Sequence, residues 1–165
     1  MEKYWHWKLY KNWKRFLVKW FVIEKYLLIL LHWFYYIEEH KDYVEYLNLL
    51  FDNPDDNNNI ISTSVITLLE VLVLPYRKND SSLANKYKNI LENSNDIQLY
   101  SVTAEISKYA AALRAKYNLR TPDSIQFATA IITQAEIFIT NDISLKRVSE
   151  IEVLILDEEI KSPVG

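Results

Sequence analysis

Residues 113–142 read LRAKYNLRTPDSIQFATAIITQAEIFITND, and the order of signals within them decides the fold class. A helix ends early in the stretch, a loop runs as far as Thr121, and Thr121-Pro122-Asp123 opens another helix. A hydroxyl N-cap, proline at the first helical position and an adjacent acid satisfy free backbone donors, pre-set φ and complement the helix dipole. Ile125, Phe127, Ala128, Ile131 and Ile132 follow at roughly helical spacing. Ile137-Phe138-Ile139 then reads as a buried strand, with Thr140-Asn141-Asp142 just past its end. Ligands of open α/β sheets bind beyond the carboxyl ends of strands, so Asp123 and Asp142 are candidates for one site. Each also has a plainer reading. The macrodipole alone favours an acid in a first helical turn, and Asn-Asp after a strand is ordinary turn chemistry.

Upstream, Leu27–Phe34 reads as an apolar strand, with a buried helix nearly as good a reading, and Tyr35–Phe51 as an amphipathic helix. Asn53–Asn59 forms a polar loop. Ile60–Thr63 is a short strand, and Ser64 caps a helix through about Leu74. Ile66, Leu69, Leu72 and Val73 are expected to face the core, and Pro75 to end or kink the helix. Ser81–Asn93 is a further helix, Ile97–Val102 a strand, and Thr103–Tyr117 a helix whose Ala110, Ala111 and Ala112 suit close packing. Val153–Leu156 is the last strand. Strands alternating with helices predict a three-layer α/β/α fold around a mostly parallel sheet.

Glu70 stands out because it interrupts an otherwise apolar run from Val65 to Leu74. A carboxylate buried there must be paired, protonated or bound to a cation. A partner such as Arg77 or Lys78, or simple exposure of that helical turn, would explain it equally well.

The chain has 165 residues, half of them hydrophobic, with one glycine and no cysteine, which suits a single cored domain. The lack of cysteine excludes disulfides and thiolate chemistry and fits a reducing cytoplasm. Glycine only at position 165 excludes a glycine-rich phosphate loop, and His6, His32 and His40 lack metal-ligand spacing. Residues 1–27 carry seven Lys/Arg against two Asp/Glu, whereas the rest carry 12 against 20. An acidic body does not capture nucleic acid broadly, so any such binding needs a local basic strip.

Residues 1–27 form an atypical, basic, Trp-rich extension, and the domain is expected to span 28–165. Leu9, Trp13, Phe16, Trp20 and Ile23 share one helical face opposite Lys8, Lys11, Arg15 and Lys19, a pattern suited to a membrane surface or a partner. A start site placed too far upstream, or a frame-shifted coding stretch, would leave the same composition. The uncharged run Tyr26–Ile37 is too short to span a bilayer.

The segments STSVITLLEVLVLPY (62–76), AALRAKYNLRTPDSIQFATA and FITND together resemble the PIN-domain ribonucleases, particularly VapC-type toxins of toxin–antitoxin pairs, over roughly residues 28–157. The resemblance implies a compact α/β/α fold and a metal-dependent endoribonuclease. Glu70, Asp123 and Asp142 match family acids that hold Mg²⁺ or Mn²⁺, with Thr140 and Asn141 in the supporting turn. It also implies an RNA substrate, an antitoxin-like protein partner and a cytoplasmic setting, and it allows a homodimer. Hard divalent ions prefer carboxylate oxygens and activate water towards a phosphodiester. One departure matters: the family's first strand ends in an Asp, and the corresponding position here is about Ile29. No acid lies between Lys25 and Glu38. The alternative is therefore a catalytically inactive PIN-fold module that binds RNA or an antitoxin-like partner.

Overall fold

The computed structural model describes residues 25–28, 60–95 and 97–161. The predicted N-terminal amphipathic helix, the helix over 35–51, the loop over 53–59 and position 29 all lie outside these residues. The strand expected from Leu27 is described as β1, Lys25–Leu28, so it starts before the boundary drawn after residue 27. There follow β2 (Ile60–Ser64), α1 (Val65–Arg77), α2 (Ser81–Asn93), β3 (Ile97–Tyr100), α3 (Ala104–Tyr117) and α4 (Thr121–Ile132). The chain continues through β4 (Ile137–Thr140), a 3₁₀ turn (Ile143–Arg147), β5 (Glu152–Ile155) and α5 (Leu156–Lys161).

The five strands form one α/β sheet in the order β3-β2-β1-β4-β5, and every pairing is parallel. β1 is central: Leu27 pairs with Ser62 of β2 on one side and with Phe138 of β4 on the other. The chain builds outward from β1 through β2 to β3, then crosses to β4 and β5. The boundary between β1 and β4 is thus the point where strand order reverses, the usual binding crevice of such sheets.

α4 is the helix around which the core closes. Phe127 stacks on Phe138 of β4 with centroids 3.7 Å apart and planes inclined by 8°. Ile106, Leu113, Leu119, Leu145 and Val148 complete that cluster. With glycine confined to position 165, Asn118 takes the left-handed turn at the end of α3, φ 49°, where a short polar side chain is tolerated.

Four expectations are corrected. Thr121 is the first residue of α4 rather than its cap; Arg120 occupies the cap position without a side-chain hydrogen bond. Leu69 and Val73 do not face the core: Leu69 is 61% exposed, and Thr67, Val71 and Pro75 are buried instead. A helix apolar nearly all round gives no periodic signal for its inner face. Pro75 does not end α1, which continues to Arg77. Of Ala110, Ala111 and Ala112 in α3 only Ala110 is buried, because consecutive helical residues point about 100° apart.

Candidate functional site

A buried polar network joins β2, α1 and α4 at the C-terminal edge of the sheet. Ser64, last residue of β2, accepts from the Ile66 amide and so caps α1. The same hydroxyl donates to Gln126 Oε1 of α4 at 3.1 Å. Gln126 Nε2 donates to Thr67 Oγ1 at 2.6 Å, and Thr67 in turn bonds Thr63 Oγ1 at 2.7 Å. All four side chains are essentially fully buried. The amide of Gln126 thereby ties the end of β2 and the first turn of α1 to the second turn of α4. The start of α4 sits at the strand ends for the same reason.

This network orients two acids. Glu70 lies one turn beyond Thr67 and Asp123 one turn before Gln126, and residues three apart share a helical face. Burial raises the Glu70 carboxyl from its ordinary 4.5 to about 7, and the charge of Asp123 adds to the shift. Its Oε2 is buried without any hydrogen-bond partner among the described residues. Asp123 is also raised, first by burial and then by Asp142, while Arg120 and Arg147 pull it down. Neither Arg77 nor Lys78 forms an ion pair with Glu70 among the described residues.

Asp142 completes the row from the other side of the crevice, two residues past β4. Its Oδ1 accepts from the Ser144 amide at 2.9 Å, capping the 3₁₀ turn. The hydrogen bond from Ser144 holds its carboxyl below the ordinary value, despite some burial, with help from Arg120 and Arg147. Thr140, buried, accepts from the Asp142 amide at 3.1 Å, and Asn141 Oδ1 accepts from Asp157 N at 3.0 Å. These two side chains fix the turn that presents Asp142. Glu70 feels the charge of Asp123, and Asp123 that of Asp142, an order that puts Asp123 between the other two.

Among the described residues no three Asp, Glu or His side chains stand close enough to enclose a metal ion on their own. The donor chemistry nevertheless fits a hard divalent cation. The unpaired Oε2 of Glu70 and the mutual repulsion along the row are charge that such an ion would neutralise. Mg²⁺ is commonly held by only one or two carboxylates and keeps several waters, so a closed three-acid cage is not required.

Sequence reading missed Gln126, Thr63 and Thr67, as well as Arg120 and Arg147. The signal for Gln126 was present in IQFATA (125–130): an amide within an otherwise small and apolar helical run demands a buried partner. The arginines carried no spacing signal, because they come from separate segments that meet only in the fold.

Among described residues no helix is long and apolar enough to cross a membrane. A profile of the PIN domain matches residues 29–151. No curated protein matches significantly. Among solved structures the chain resembles VapBC2 from Rickettsia felis bound to a DNA fragment from its promoter, with TM-score 0.61 and 24% identity, over 79% of this chain and 97% of that one. It also resembles a toxin–antitoxin complex from Klebsiella pneumoniae, with TM-score 0.56 and 22% identity over 78% and 95%. DNA-bound VapBC from Salmonella typhimurium gives TM-score 0.55 and 17% identity over 79% and 96%. At such identities the structural likeness speaks to the fold, and the profile to the family. With three quarters of its length matched by that profile, the chain belongs to the PIN domain family.

Proposed function

We propose that the protein is a divalent-metal-dependent endoribonuclease of the VapC toxin type, paired with an antitoxin and weakened by an incomplete set of acids. The observation that carries this reading is the row Glu70–Asp123–Asp142, with an unpaired buried oxygen at one end and two carboxyls raised by burial and by each other. Such a row is costly unless a cation occupies it. Glu70, Asp123 and Asp142 would hold Mg²⁺ or Mn²⁺, and the ion would polarise the phosphodiester and activate the attacking water. Thr140 and Asn141 keep Asp142 aimed across the crevice, and the Gln126 network keeps Glu70 against Asp123. The solved toxin–antitoxin complexes among the structural neighbours support an antitoxin-like partner.

A second reading, a PIN module without catalysis, rests on one feature of the sequence. β1 is described as far as Leu28, opposite Ile139, and the family's first Asp corresponds by resemblance to about the next residue, Ile29. Asp142 lies three residues past Ile139, so an acid directly after β1 would belong to the same crevice. The test is RNA cleavage with Mn²⁺ by the parent, by Ile29→Asp, and by Ile29→Asp combined with Asp123→Asn. The account expects weak or absent cleavage by the parent, a gain on Ile29→Asp, and loss of that gain in the double variant. Strong cleavage by the parent would show that the fourth acid is unnecessary. A folded Ile29→Asp protein with no gain would favour the non-catalytic reading.

A further inference from the structure

The acid row is bordered by guanidinium groups that pair with no carboxylate among the described residues. Arg147 ends the 3₁₀ turn after Asp142. Its Nε donates to the Tyr117 carbonyl at 3.0 Å and its Nη1 to the Ser144 carbonyl at 2.7 Å. Carbonyls orient a guanidinium without neutralising it, and a guanidinium has five N–H donors, so most remain for another acceptor. Arg120 stands directly before α4, exposed, with no side-chain hydrogen bond among the described residues. Its backbone is fixed between buried Leu119 and the Ser124 amide, which bonds its carbonyl at 3.0 Å. Arg114 adds a third guanidinium at the same helix start through a 2.8 Å bond to Thr121 Oγ1.

Arg120 precedes Asp123 by three residues at the start of α4, and Arg147 ends the 3₁₀ turn that Asp142 caps. Yet among the described residues the ion pairs within 4 Å are Lys116–Glu150 and Lys146–Glu158 only. An arginine serving purely as a counter-ion would close on its acid. Arg147, held on two carbonyls, and Arg120, unbonded among the described residues, keep donors available to a ligand that suits both them and the acids, once a cation covers the acids. The planar fork of arginine matches a phosphodiester in two-pronged fashion. The setting adds weight, because the chain beyond residue 27 carries 20 acids against 12 bases and repels polyanions elsewhere.

We propose that Arg120 and Arg147 form a phosphate-binding rim that holds the backbone of single-stranded RNA over the Glu70–Asp123–Asp142 row. This rests on the ribonuclease reading for the choice of RNA, but not on hydrolysis taking place. The rim supplies the local basic strip that an acidic chain needs to bind RNA at all, and it places a phosphate between the arginines and the acids. Arg147 sets orientation through its two carbonyl anchors, whereas Arg120, unanchored, adapts to the strand.

The test is fluorescence anisotropy with a labelled single-stranded oligouridylate in EDTA, over a series of salt concentrations. Metal-free binding reads the rim independently of cleavage. Arg120→Ala and Arg147→Ala are expected to weaken binding severalfold. Each should lower the slope of log affinity against log salt by about 0.7, the increment for one phosphate contact on a single strand. Lys86→Ala on α2, which packs against β3, should change neither quantity. If Arg147→Ala fails to fold through loss of the Tyr117 and Ser144 bonds, Arg120→Ala, which breaks no hydrogen bond, still decides. Unchanged affinity and slope in Arg120→Ala, or no RNA binding by the parent, would overturn the rim. Equal displacement of the RNA by polyglutamate would assign the surface to an acidic protein partner and also overturn it. Arginine-dependent binding by a parent that never cleaves would sink the ribonuclease reading and leave the rim standing. Cleavage with arginine-independent binding would do the reverse.

Discussion

Glu70 holds the largest displaced charge equilibrium of the site, and its direction fixes a pH dependence. Its carboxyl is raised from 4.5 to about 7, so the folded protein favours the neutral form more than the unfolded chain does. Below pH 4.5 it is protonated in both states, and its favourable contribution is fully present. That contribution is lost as pH rises from 4.5 through 7. Solvent screening of a half-buried group reduces the nominal effect to roughly 1 kcal/mol. In EDTA the melting temperature of the parent should therefore fall between about pH 5 and about pH 8 by a few degrees more than that of Glu70→Gln. Mn²⁺ should abolish that difference by supplying the missing counter-charge. An identical pH profile for parent and variant in EDTA would mean Glu70 is solvated like any surface acid. Its oddity was visible in the sequence as a lone acid in Val65–Leu74. Which of pairing, exposure or a cation resolved it was not, because that depends on Asp123, more than fifty residues away.

At the scale of elements, the buried network around Gln126 decides how α1 and α4 meet. Gln126→Leu removes both amide bonds and leaves the hydroxyls of Ser64 and Thr67 short of partners in a buried setting. The expected loss is about 2–4 kcal/mol, read as a lower midpoint in urea with an unchanged slope. Metal affinity should fall as well, since the network sets the spacing of Glu70 and Asp123. A variant as stable as the parent with intact metal binding would show that the docking of α1 on α4 does not depend on this network. The helices Ser81–Asn93 and Thr103–Tyr117 were readable to within a residue, because caps and amphipathic spacing are local signals. The inner face of α1 was not. Its Leu69 and Val73 looked like core residues but point outward, since the hydrogen bond that Thr67 accepts from Gln126, rather than apolar periodicity, chooses the buried side.

For the whole molecule, the parallel sheet follows from the alternation of strands and helices, and the order β3-β2-β1-β4-β5 puts β1 at its centre. A central strand pairs on both sides, so its residues cannot be removed without separating β2 from β4. Deleting residues 1–24 should therefore leave a cooperative thermal transition within a few degrees of the parent, about 1 kcal/mol or less. Deleting 1–28 should abolish it. Loss of folding on the shorter deletion would place the tryptophan-rich segment in the core. The strand start at Lys25 escaped sequence reading because charged residues at 24 and 25 look like the end of the basic extension rather than the edge of a buried strand.

The acid row is the feature on which the functional account depends, and isothermal titration calorimetry with Mn²⁺ tests it most directly. The parent is expected to bind Mn²⁺ saturably. Asp123→Asn, in the middle of the row, should weaken binding at least about tenfold, a difference of about 1.4 kcal/mol. Glu70→Gln and Asp142→Asn should each weaken it in the same direction, with folding verified by circular dichroism. Saturable binding that survives Asp123→Asn unchanged, or a folded parent that takes up no Mn²⁺, would contradict a shared cation site at this crevice.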